Sequence, residues 1–295
     1  MRLRRLKAPA FLPVAYYYCV SREVDRRFVL GEQEKDELVE YMRTYERFGG
    51  LRVISYCIMS NHFHILVEVP QRPDAAALPD DAGLVAKVRA DLGDKLANDL
   101  EWQLELHRKQ GNTSAAEELR DRWFGRMWDI SAYMKVLKQR FTQWFNGRHR
   151  RRGTLWEDRF RSVLVKGEGQ ALRAMAAYID LNPVRAKICD DPKDYRWCGY
   201  AEAVAGGKEA REKALAVLAR GGKLSQADYL RCKVRYFCDG AVIGGKAFVE
   251  EMFAAFRDRF GPKRKDGARP MRGLAGETKE DSLFNFRQLR AGVFG

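Results

Sequence analysis

The chain has 295 residues, with 54 Lys+Arg against 40 Asp+Glu and a formal net charge of +14. Its 46% hydrophobic and 12% aromatic content suffices for a packed core, which excludes wholesale disorder, and the length accommodates one large domain or two modest ones. The basic excess points to nucleic acid as a partner, with an anionic membrane surface or a plain basic protein as the competing readings.

The first apolar stretch, Ala8 to Val20, follows Arg2, Arg4, Arg5 and Lys7. It is shorter than the roughly 20 residues that span a bilayer, and no small-residue cleavage site follows it, so it reads as neither membrane helix nor signal peptide. Val14 to Ser21 is rich in Tyr and Val and predicts a strand. Gly31 to Phe48 places Leu38, Tyr41, Met42, Tyr45 and Phe48 in a helical stripe. Leu51 to Ile58 and His62 to Val69 predict a hairpin closed by Met59-Ser60-Asn61. Pro70 to Gly83 reads as a loop into a helical insertion over about 71–128. Within it, Leu84, Val88, Leu92, Leu96, Leu100 and Leu104 recur every fourth residue and predict one long helix ended by Gly111-Asn112, then a short helix to about Trp123.

Ile130, Tyr133, Leu137, Phe141, Trp144 and Phe145 mark a further helix, Arg159 to Lys166 a fourth strand, and Gly167 to Leu181 a helix with Leu172, Met175, Ala176 and Ile179 on its apolar face. Without the insertion the order is βαββαβα. Its first six elements predict an α+β fold with a ferredoxin-like βαββαβ core and an extra helix behind it. A main domain over 1–200 and a helical, basic extension over 201–295 follow from this division. Helix-like stretches lie at Lys208–Arg220 and Gly245–Phe260, and a basic, turn-rich tail starts at Gly261. The six cysteines, at 19, 57, 189, 198, 232 and 238, form no Cys-x-x-Cys pair, which favours free thiols in a reducing cytoplasm.

Three features carry chemistry. His62 and His64 are two residues apart on a predicted strand, so both imidazoles take the same face. Phe63, Ile65, Val67 and Val69 take the other, apolar face, which leaves the histidine face, with Leu66 and Glu68, as the more open side. Two imidazoles so placed suit one divalent metal ion; a structural, hydrogen-bonded histidine pair fits the same spacing. Tyr178 lies beside the apolar stripe of its helix, where its hydroxyl reaches a site at the helix edge or simply meets water. Asn182, four residues on, shares that face if the helix continues, whereas Pro183 favours a new helix capped by Asn182. Finally, Lys138, Arg148, Arg150, Arg151, Arg152, Arg159 and Arg161 interleave with Trp144, Phe145, Trp156 and Phe160. Arginines hold phosphates while rings such as Trp156 stack on unpaired bases; a solvated basic loop is the alternative.

The stretches Tyr56 to Val67 (YCIMSNHFHILV), Phe141 to Asn146, Gly153 to Ser162 (GTLWEDRFRS) and Tyr178 to Ala186 (YIDLNPVRA) together resemble the HUH single-tyrosine transposases, specifically the REP-associated tyrosine transposases. The resemblance runs from about Tyr16 to Tyr200, outside the insertion. It implies that His62 and His64 ligate Mg²⁺ or Mn²⁺, that Asn182 completes the metal site, and that Tyr178 is the nucleophile. It also implies a substrate of single-stranded DNA bearing REP-like hairpins, a 5′-phosphotyrosine intermediate, and a cytoplasmic, nucleoid-associated monomer or homodimer with no membrane partner. A non-catalytic nucleic-acid-binding regulator on the same scaffold is the alternative function.

Overall fold

A computed structural model describes residues 6–213, 241–259, 267–271 and 282–286. The chain divides into two compact units: Met1–Leu30, Ile54–Glu68 and Trp156–Gly295 form the first, Gly31–Val53 and Val69–Leu155 the second.

The sheet is built on four strands: β1 (Val14–Arg22), β2 (Arg52–Ile58), β3 (His62–Pro70) and β4 (Arg161–Val165). They lie in the order β2-β3-β1-β4, the strand order of a ferredoxin-like core, so the predicted α+β class holds. The β-branched and aromatic residues of VAYYYCVSR suit a pleated, doubly covered strand, and Ala15 to Cys19 are all buried. β1 pairs antiparallel with β4, Val20 facing Arg161, Tyr18 facing Val163 and Tyr16 facing Val165. Toward β3, the Tyr16 hydroxyl meets Glu68 and the Tyr18 hydroxyl meets His64. Numbers that rise along β1 therefore fall along β3, and these neighbours too run in opposite directions. The turn between β2 and β3 is closed by Met59 N–H donating to the His62 carbonyl at 2.8 Å.

Behind β4 come α6 (Gly169–Asp180), the one-turn α7 (Asn182–Arg185) and α8 (Gly199–Val204), with α6 packed on β4. The sheet then grows beyond the predicted four strands. β5 (Val242–Gly244) runs parallel to β4, and β7 (Phe284–Phe286) and β6 (Arg269–Pro270) follow it outward. Between β5 and β6 lies α9 (Lys246–Ala255), within the expected 245–260 stretch. Residues 208–213 are helical; the rest of the stretch to Arg220, and most of the basic tail after Gly261, fall outside the described residues.

The second unit is helical. α1 (Glu32–Gly49) buries Leu38, Met42, Tyr45 and Phe48, the predicted stripe less Tyr41, and ends where Gly50 adopts φ 62°, its N–H closing on the Glu46 and Arg47 carbonyls. α5 (Ile130–Arg148) is capped by Asp129, whose carboxylate accepts from Ser131 and Ala132 N–H. It packs on α1, and Tyr133 donates to the Met42 carbonyl at 3.2 Å. Each fully buried Leu or Phe in this pair contributes about 1.5–3 kcal/mol of transfer free energy.

The long helix expected across Leu84 to Leu104 is instead two, α2 (Asp81–Leu92) and α3 (Asp94–Lys109), packed against each other. The break is Gly93 at φ 95°, ψ 165°, a region that only glycine enters at little cost. An apolar residue every fourth position survives on both sides of the break, so the periodicity does not register it. α4 (Thr113–Phe124) follows, capped by Asn112 accepting from Ala115 N–H.

Candidate active site

The site lies within the first unit, on one face of β1 and β3 under α6. Alternation along β3 puts His62 and His64 on that face, as expected. The face is not open. His64 is 4% exposed, and Leu66 and Glu68 are buried too. The cover comes from α6, which brings Tyr178 over the sheet. The Tyr178 ring stands edge-on to His64 at 6.0 Å between centroids and edge-on to Tyr18 at 5.9 Å. The expectation of an exposed histidine side is thus corrected: β3 alone cannot reveal a helix that begins about a hundred residues later.

Both imidazoles have one nitrogen engaged. His62 Nδ1 lies 2.6 Å from Asn61 Oδ1. Asn61 Nδ2 donates to the Arg26 carbonyl at 2.9 Å, which fixes the orientation of the amide. An amide oxygen only accepts, so His62 Nδ1 carries the proton and Nε2 keeps its lone pair. His64 Nδ1 lies 2.7 Å from the Tyr18 hydroxyl, and its Nε2 is buried with no hydrogen-bond partner among the described residues. Burial, then the charges of Arg22 and Arg185, push the His62 pKa down to about 4. Burial, then His62 and the same two arginines, push His64 well below its ordinary value. Both rings are therefore neutral at pH 7, the form that ligates metals.

That donor set fits a divalent cation. The imidazole centroids are 4.8 Å apart, each ring keeps an Nε2 outside the hydrogen bond made by its Nδ1, and the buried Nε2 of His64 lacks any other use. Among the described residues no third His, Cys, Asp or Glu joins them, so the remaining ligands would be oxygens of amide, phosphate or water. The hydrogen bonds that each Nδ1 makes, with Asn61 Oδ1 and with the Tyr18 hydroxyl, are the kind of outer contact that orients a metal-binding imidazole. Sequence reasoning missed both residues. Tyr18 was detectable in principle, because the even positions of β1 share one face.

Asn182 opens α7 directly after α6. Its Nδ2 donates to the Tyr178 and Ile179 carbonyls at 3.0 and 3.2 Å, and its Oδ1 accepts from Arg185 Nη2 at 2.7 Å. The amide closes the end of α6, where carbonyls otherwise lack partners, and keeps one oxygen lone pair. Arg185 also lies over the Tyr178 ring, its guanidinium carbon 4.1 Å from the centroid. Asp180, buried on the same helix, accepts from the Ser55 hydroxyl at 2.9 Å and ties α6 to β2.

The predicted DNA-binding residues divide between the two units. Arg161 pairs with Val20 in register and so shares the histidine face. Arg159 is exposed before it. Trp156 is corrected: it is 6% exposed and packs edge-on against Phe63 at 5.3 Å, on the face opposite the histidines. Aromatic and basic residues that interleave in sequence do not disclose which of them the core claims. In the second unit, Arg148 lies by Gln33 and Glu34, and Arg151 donates to the Thr154 carbonyl at 2.9 Å. Arg150 and Arg152 are exposed, and Lys138 is half-buried on α5.

Residues 13–78, the segment that holds β1 to β3 and both histidines, match the family model described as "Transposase IS200 like". The resemblance to tyrosine transposases drawn from the motifs therefore has an independent match over that segment. A solved structure of a REP-associated tyrosine transposase bound to a REP hairpin is 13% identical, with a TM-score of 0.43, over 70% of this chain and 87% of the other. No curated protein matches the sequence at a significant level. Among the described residues no helix is long and apolar enough to cross a membrane.

Proposed function

We propose that the protein is a metal-dependent single-stranded DNA endonuclease and strand transferase that works through a 5′-phosphotyrosine intermediate on hairpin-bearing DNA. The observation that carries the reading is the 6.0 Å approach of the Tyr178 ring to His64, an imidazole with an otherwise unused buried nitrogen. His62 and His64 would hold Mg²⁺ or Mn²⁺, with the second lone pair of Asn182 Oδ1 within the same group of residues. Bound there, the ion would polarise the scissile phosphate and offset its developing negative charge.

The chain's own groups do the rest. A phenol with a pKa near 10 is about 0.1% ionised at pH 7, so unaided Tyr178 is a poor nucleophile, and the Arg185 guanidinium over its ring places a positive charge beside the reacting group. The Tyr178 oxygen attacks phosphorus, the bond from phosphorus to the 3′ oxygen breaks, and the proton lost by the phenol is made up on the departing 3′-hydroxyl. The new phosphotyrosine remains a diester. A second 3′-hydroxyl can reverse the step and join a new strand, which direct hydrolysis would forfeit. Asn61 holds His62 in one tautomer throughout, and the Tyr18 hydroxyl orients the His64 ring.

A binding-only regulator is favoured by one observation: Tyr178 is 6% exposed, so little of the side chain is open to a DNA strand. The test is a Tyr178→Phe variant on hairpin-bearing single strands with Mn²⁺. The proposal expects binding within a few-fold of the parent and no covalent adduct. A parent protein that binds hairpins and never forms an adduct would establish the regulator instead.

A further inference from the structure

The two arginines whose charge reaches the imidazole pair come from opposite parts of the first unit. Arg22 is the last residue of β1. Glu23 N–H donates to the Asn61 carbonyl at 2.9 Å, which sets Arg22 across from His62. Because Tyr16, Tyr18 and Arg22 alternate onto one face, the Arg22 side chain emerges on the histidine side. Arg185 arrives from α7, over the ring of Tyr178 and bonded to Asn182. Both are exposed. Among the described residues neither has a carboxylate partner, although arginines elsewhere in the molecule commonly do. His62, half-buried between them, feels both charges.

We propose that Arg22 and Arg185 form a metal-independent receptor for backbone phosphates of a single DNA strand drawn past Tyr178, Arg185 taking the phosphate nearest the phenol and Arg22 its neighbour on the His62 side. This rests on the reading of the site as a single-strand DNA site. The guanidinium fork matches the geometry of phosphate oxygens, and two exposed cations without a carboxylate partner, one on each side of the site, provide a positive field even before a metal ion enters. The receptor would hold the strand in register while the phenol is exposed to it.

Binding of a fluorescein-labelled oligothymidylate in EDTA, titrated over a range of salt, tests this without relying on cleavage. Each phosphate neutralised on a single strand contributes about 0.7 to the slope of log K against log salt. Arg22→Gln and Arg185→Gln should each lower the slope by about 0.7, the double variant by about 1.4, with Lys95→Gln on α3 unchanged. Among the described residues the Arg22 side chain has no hydrogen-bond or ion-pair partner to lose, so its variant guards against a folding artefact at Arg185, where the bond to Asn182 also goes. Unchanged slopes in a protein that forms the Tyr178 adduct would overturn the receptor and leave the proposed function intact. Lowered slopes in a protein that never forms an adduct would uphold the receptor and remove the nuclease.

Discussion

The histidine face of the sheet and the helices of the insertion use the same charged residues to opposite ends. In the insertion, charges are consumed locally. Arg108 and Arg120 both grip Asp81, at 2.9 and 2.5 Å. Arg89 spans Asp94 and Glu101, each at 3.0 Å, and Lys87 pairs with Asp91 at 3.0 Å. On the histidine face, Arg22 and Arg185 have no carboxylate among the described residues, and a buried imidazole nitrogen has no partner. Self-neutralised charge marks scaffold; exposed cations without a carboxylate, set beside a buried nitrogen without a partner, mark a place built to receive something. Net charge alone, +14 over the chain, does not distinguish the two.

The contrast can be sharpened by substitution. The largest effect is expected at the face: His64→Ala should abolish metal-stimulated adduct formation, and full activity in that variant would remove the metal site. Tyr18→Phe comes next. It deletes one buried hydrogen bond, worth about 1 kcal/mol of stability, but should lower Mn²⁺ affinity about 10–100-fold by loosening His64; calorimetric titration of both proteins reads the difference. In the insertion, Gly93→Ala forces a side chain into a left-handed backbone and should cost about 1–2 kcal/mol in chemical denaturation, with adduct formation unchanged. Asp81→Asn should be smaller still, about 1 kcal/mol or less, because its pairs are partly exposed.

Asp81 also makes a pH prediction. Hydrogen bonds from Arg108, opposed by burial and joined by Arg120, hold its carboxyl below the ordinary carboxylate value. A depressed folded-state pKa means stability present above the unfolded value, near 3.9, and lost as pH falls through the folded one. Asp81→Asn should therefore lose that contribution at neutral pH, about 1 kcal/mol or less, and flatten the acid limb of a stability profile below about pH 4, so that the two profiles converge in acid. An acid limb identical to that of the parent would show that the arginine pairing is decorative.

The sequence was most legible where a period met a punctuation mark. Alternation gave β1 and β3 within a residue or two, and the stripe of Leu38, Met42 and Tyr45 gave α1. It failed where the cause was distant or very short. The cover over His64 comes from α6, far along the chain. β5, β6 and β7 have three, two and three residues, too few for any alternation to show, and are held by their neighbours in the sheet. Trp156 looked like a stacking platform by company, and Phe63 claimed it for the core. The histidine pair and Tyr178 were legible as candidates, and the fold brings them together; Asn61, Tyr18, Arg22 and Arg185 required the register between β1 and β3 and the turn after α6.

The most direct measurement is to incubate the protein with fragmented genomic single-stranded DNA and Mn²⁺, denature, digest, and locate the nucleotide-bearing peptide by mass spectrometry. The account predicts one modified peptide, with the phosphate on Tyr178 and the 5′ end of the attached DNA at the junction. Attachment at any other residue, or an adduct that persists in Tyr178→Phe, would contradict it.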